Sequence, residues 1–106
     1  MNTDYCVVYC TCPEEETAEQ LSQLLLEKRL VACINILPNV TSHYIWKSNL
    51  QTGSEVLMVM KTTQSNLQKL EKTILAVHPY EFPEFIAMPI IYGNRDYLNW
   101  VDEVVA

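Results

Sequence analysis

The chain has 106 residues, 49% of them hydrophobic, and a formal net charge of -6. Those values predict one globular domain spanning residues 1–106, with apolar residues enough for a single core. They exclude nucleic acid and an anionic membrane surface as partners, since both demand clustered Lys and Arg.

Met1-Asn2-Thr3-Asp4 carries no basic leader, and no apolar run reaches the length of a membrane span. The expected compartment is the cytoplasm. The four cysteines, Cys6, Cys10, Cys12 and Cys33, are then expected to be reduced. Buried small apolar residues are the ordinary role for such cysteines.

Tyr5-Cys6-Val7-Val8-Tyr9-Cys10-Thr11-Cys12 is β-prone and uncharged, which predicts a central strand. Within it Cys10 and Cys12 share a face, a spacing poorly suited to a mutual disulfide. Pro13 suits the first turn of a helix. Glu14, Glu15 and Glu16 suit its positive end, and Lys28 and Arg29 the other. Ala18, Leu21, Leu24 and Leu25 form its apolar stripe.

Val31 to Trp46 reads as a second strand, interrupted at Pro38, which requires an edge position or a bulge. Lys47-Ser48-Asn49-Leu50 is a turn in which Asn49 is the expected left-handed residue. A third strand runs roughly from Thr52 to Thr62. Both arms exceed the usual strand length of about 3–10 residues, so the ribbon projects from the core. Its tip carries Tyr44, Ile45, Trp46 and Leu50. Such an apolar tip predicts an oligomer, with Tyr44 and Trp46 at the subunit interface.

Ser65 and Gln68 form a capping-box pair ahead of Leu67, Leu70, Ile74 and Val77 at helical spacing, and Pro79 stops that helix. Phe85 to Tyr92 is the fourth strand. Asn94 caps a last helix bearing Tyr97, Leu98, Val101 and Val104. The order βαββαβ plus a C-terminal helix predicts an α+β, ferredoxin-like two-layer sandwich.

His78-Pro79-Tyr80-Glu81-Phe82-Pro83-Glu84 concentrates an imidazole, a phenol and two carboxylates between helix and strand. The residues before the prolines are pushed to extended backbone. The segment serves either a site or a sharp structural turn. Cys10, Cys12 and His78 supply the soft donors that suit Cu(I) or Zn(II), and the sandwich can bring the ends of the first strand and second helix to one side. Lys61 either reaches solvent at its strand end or pairs with Glu81 or Glu84 in a polar site at a subunit boundary. Phosphate-binding glycine loops and hydrolase motifs are absent from the sequence, so nothing calls for an enzyme.

Val31-Ala32-Cys33-Ile34-Asn35-Ile36-Leu37-Pro38, Ser42-x-Tyr44-x-Trp46, Lys61-Thr62-Thr63, His78-Pro79-Tyr80-Glu81-x-Pro83-Glu84 and Asp96-Tyr97-Leu98-x-Trp100 follow in order. That ordered set resembles the CutA family of divalent-cation tolerance proteins over about residues 5 to 104. The resemblance implies a PII-like homotrimer in which the long hairpins pair between subunits. It implies a cytoplasmic role in tolerance to copper and other divalent cations, with copper ligands at Cys10 and His78. Val77 stands where some members carry a second histidine, which removes one potential ligand. Cys33, Lys61, Tyr80, Glu81 and Glu84 remain candidates for a ligand or subunit-boundary site. The alternative function is a PII-like module that binds a small metabolite between subunits and signals to a partner protein.

Overall fold

The computed structural model describes residues 4–106. The reading of Met1, Asn2 and Thr3 as lacking a leader falls outside them. The elements are β1 (Tyr5–Cys12), α1 (Glu15–Glu27), β2 (Cys33–Trp46), β3 (Asn49–Thr63), α2 (Leu67–Val77), β4 (Ile86–Pro89) and α3 (Arg95–Val104). All strand pairs are antiparallel, in the order β2-β3-β1-β4. This is the expected ferredoxin-like sheet.

Side-chain alternation divides the sheet into two faces. Val8, Cys10 and Cys12 of β1 and Val56, Met58 and Met60 of β3 join Leu21 and Leu25 of α1 and Leu70 and Ile74 of α2 in the main core. Tyr5, of opposite parity on β1, instead packs in a smaller cluster with Ala32 and Val101 of α3. α1 and α2 therefore cover one face, and α3 covers one end of the other.

α1 begins two residues later than Pro13, with Glu14 extended at its N-cap. Its end is a Schellman motif. Arg29 N–H donates to the Leu26 carbonyl at 3.0 Å, and Leu30 N–H to that of Leu25 at 3.0 Å. Arg29 takes φ 55, and Leu30 packs in the same core as Leu25.

β2 and β3 run for 14 and 15 residues, and the molecule is 44 Å long against 26 and 23 Å across. Pro38 lies on the edge strand and also at a bulge: the register steps from Leu37↔Leu57 to Val40↔Glu55, with Asn39 at φ 61. The turn corrects one expectation. Lys47 (φ 50) and Ser48 (φ 67) are the left-handed residues, and Asn49 already pairs with Trp46 in the ladder. Two positive φ values at a two-residue loop are the I′ geometry that matches the ribbon's twist. Asn49 supports the turn by donating Nδ2–H to the Lys47 carbonyl at 3.3 Å.

Ser65 does not cap α2. A 3₁₀ turn at Gln64–Asn66 comes first, and the Ser65 hydroxyl bonds that of Thr63 at 3.2 Å. Asn94 does cap α3, accepting the Tyr97 N–H on Oδ1 at 2.9 Å. β4 is shorter than the expected Phe85–Tyr92: its register pairs Ile86–Pro89 with Cys6–Tyr9, and beyond Pro89 the Ile90 N–H donates to the Tyr5 carbonyl at 2.9 Å.

Candidate metal centre

The site lies beyond the start of β4, which pairs Ile86 with Tyr9. Beyond Tyr9 the edge of β1 has no strand beside it, and the α2–β4 connection fills the gap. α2 ends at Val77, and His78 is extended (φ -72, ψ 137) as its neighbour Pro79 demands. The imidazole is thereby turned back onto the end of β1.

His78 makes two ring hydrogen bonds. Nε2 lies 2.8 Å from the Thr11 carbonyl, which only accepts, so Nε2 carries the proton. Nδ1 accepts the Tyr80 backbone N–H at 3.1 Å. The Tyr80 ring packs against the imidazole at 4.9 Å between centroids, tilted by 52°. His78 Nε2 also approaches Cys12 Sγ at 3.8 Å.

Cys10, Cys12 and His78 form one buried cluster whose donor atoms all lie within 4.8 Å of one another. Three ligands about 2.3 Å from one ion stand roughly 3.8–4.0 Å apart, so a contraction of up to about 1 Å brings the three onto a shared ion. Two sulfurs and one nitrogen in a dry site suit a soft metal. Nε2 holds the proton of the Thr11 bond, so ligation through that atom would require the proton to move to Nδ1 and the Tyr80 N–H bond to be released.

The thiols titrate as a pair. The hydrogen bond from Cys10 lowers Cys12 below the ordinary thiol range, against the opposing effects of burial and Glu55. The same bond pushes Cys10 up, helped by burial and by the charges of Cys12, Glu84 and Glu55. Cys12 is thus the first thiolate of the two.

The connection also builds the wall of a cleft. The Tyr80 phenol donates to Glu55 Oε2 at 2.7 Å, and burial, followed by that bond and the Glu55 charge, raises its pKa. Phe82 meets the Trp46 ring edge-on at 5.6 Å. Glu81 and Glu84 line the same cleft.

The structure separates the candidate residues into two groups. Cys10, His78, Tyr80, Glu81 and Glu84 gather at one end of β1. Cys33 and Lys61 are cross-strand partners far along β3 from Glu55, the residue that meets Tyr80. Of the two alternatives for Lys61, the structure shows an exposed ammonium that donates to the Asn35 side chain, away from Glu81 and Glu84. The Cys33 thiol lies beside Tyr97, whose pKa rises through burial and then that neighbour. Tyr44 is exposed on the ribbon, whereas Trp46 is half-covered by Phe82 of its own chain. Cys12, Glu55 and Phe82 complete the constellation. Cys12 was legible from its parity with Cys10; Glu55 had no local signal.

The CutA1 divalent ion tolerance protein family model matches residues 6–104. The chain belongs to the CutA1 family. A mouse protein named Protein CutA is 45% identical over 96 residues, covering 91% of this chain and 54% of its own length; the chain thus spans about half of that relative. The solved divalent cation tolerance protein CutA1 of Thermus thermophilus is 42% identical, with a TM-score of 0.94 over 96% of this chain and 99% of its own. A structure described as the periplasmic divalent cation tolerance protein CutA from Archaeoglobus fulgidus is 34% identical, with a TM-score of 0.93 over 96% and 99% of the two chains. No helix among the described residues is long and apolar enough to cross a membrane. The CutA1 chain described here therefore shares its whole sheet-and-helix frame with proteins named for tolerance of divalent cations.

Proposed function

We propose that this CutA1 chain is a metal-binding, non-catalytic protein that takes part in tolerance to copper and other divalent cations. The observation that carries the reading is the buried cluster of Cys10, Cys12 and His78. Cu(I) is the ion best matched to two thiolates and an imidazole. Binding would require both thiols to release their protons, Cys12 before Cys10, and the Nε2 proton of His78 to pass to Nδ1, which would then no longer accept the Tyr80 N–H. Free cysteines throughout the described residues support a reducing, cytoplasmic setting.

We place the chain in a homotrimer. The support is the ribbon: Ile45 and Leu50 face each other across it and are 72% and 76% exposed, a degree of apolar exposure that a partner subunit relieves.

The test is an anaerobic Cu(I) titration of the reduced protein against a competing chelator, alongside Cys10→Ser and Cys12→Ser. Tight binding of one ion per chain that weakens in both variants supports the reading. Weak binding, alike in all three proteins, overturns it.

A further inference from the structure

The cleft above the metal cluster has a volume of about 510 Å³, within the range of small-molecule sites, about 300–1,000 Å³. Its rings are Trp46, Phe82, Tyr44 and Tyr80, and its carboxylates are Glu55, Glu81 and Glu84. None of the described residues lining it is a lysine or an arginine. His43, also at its wall, is engaged through Nδ1 with the Thr52 hydroxyl at 3.0 Å. Aromatic faces with carboxylates beside them attract ammonium groups, through the ring quadrupole and through direct charge.

A second observation points the same way. The Lys47 ammonium of this chain sits 5.8 Å from the centroid of the Trp46 ring, so a cation already occupies the vicinity of one cleft ring. Trp46 and Phe82 hold each other edge-on. The hydrogen bond from Tyr80 fixes the Glu55 carboxylate. The cleft is therefore largely formed before any ligand arrives, which lowers the ordering cost of binding.

We propose that this cleft binds a small organic ammonium ion. The rings take its alkyl surface, and Glu81, Glu84 and Glu55 balance its charge. An inorganic divalent cation would use the three carboxylates but gain nothing from the four rings. The proposal does not depend on the metal reading, since the cleft and the Cys10–Cys12–His78 cluster use different side chains.

Tetramethylammonium, titrated into the reduced, metal-stripped protein, is the probe. The readout is the NMR signal of the Trp46 indole N–H, assigned with Trp46→Phe. The same titration of Cys10→Ser separates this site from the metal cluster. Saturable shifts of equal affinity in wild type and Cys10→Ser are expected, with affinity at least tenfold weaker in Glu81→Gln/Glu84→Gln. Neutral tert-butanol is expected to give no saturable shift. The proposal is overturned if tert-butanol matches tetramethylammonium, if the double variant binds as wild type does, or if Ca²⁺ saturates the signal while tetramethylammonium leaves it unmoved.

Discussion

His78 gives its Nε2 proton to the Thr11 carbonyl at 2.8 Å and takes the Tyr80 N–H on Nδ1 at 3.1 Å. One buried ring thus clamps the end of β1 to the connection that walls the cleft. Truncating it strands an acceptor and a donor together, and each buried unsatisfied group costs about 1–3 kcal/mol. His78→Ala is expected to lose about 2–4 kcal/mol in urea denaturation. A loss below about 1 kcal/mol would show that water replaces the clamp.

The cluster predicts an ordered response to thiol removal. Cys12 is the thiol held low by its neighbour and the one nearest the imidazole, at 3.8 Å. Cys12→Ser is expected to weaken Cu(I) binding at least tenfold in a chelator competition. Cys6 belongs to the same strand but not to the cluster, so Cys6→Ser is expected to bind as wild type does. Equal weakening by both substitutions would point to general damage to β1 instead of ligand loss.

Much of this was legible in the chain, and the failures have local causes. Parity along Tyr5–Cys12 set Cys10 beside Cys12, and the two prolines around Tyr80 announced a fixed connection. The ribbon was readable from the length of its two arms. Lys61 stayed open between solvent and an acid partner because pairing across the sheet, Cys33↔Lys61, decides its neighbours, and that register is a long-range property. Glu55 was silent for the same reason: only the folded connection brings Tyr80 to it. The turn was misassigned by one residue because Asn tolerates left-handed backbone better than Lys or Ser does, yet the register of β2 against β3 puts Lys47 and Ser48 at the bend.

The proposed trimer is best tested at Ile45 and Leu50. Trp46 packs on Phe82 of its own chain, so truncating it disturbs the monomer as well. Ile45→Lys with Leu50→Lys places two like charges opposite each other on an apolar tip. Light scattering is expected to give three times the 12.2 kDa chain mass for wild type and a lower mass for the double variant. A trimer mass in the variant would remove the tip from the interface.

Tyr80 predicts a loss of stability at alkaline pH. Its folded pKa is raised above 10.0 by burial and by Glu55, so the unfolded chain releases the phenolic proton first as pH rises. The folded state then holds more protons, and stability falls with pH. The contribution is fully present below about pH 10, the ordinary tyrosine value, and fades above it. Tyr80→Phe is expected to show a smaller drop in melting temperature between pH 9 and pH 11 than wild type. Parallel drops would place the alkaline sensitivity elsewhere, with Tyr97 next in line because its pKa is also raised.

Ser48 sits at φ 67, where a side chain costs about 1–2 kcal/mol. Glycine removes that cost but adds roughly 0.5–1 kcal/mol of chain entropy to the unfolded state. The net expectation for Ser48→Gly is a gain of about 0.5–1 kcal/mol, since glycine suits the second position of a I′ turn. Asn49 lies in the ladder opposite Trp46 and holds the turn through Nδ2, so Asn49→Gly is expected to destabilise instead. Chemical denaturation of the two variants separates the cases. If Asn49→Gly were the stabilising change, the left-handed position would be Asn49 and the ribbon register would shift by one residue, turning every side chain of one arm to the opposite face.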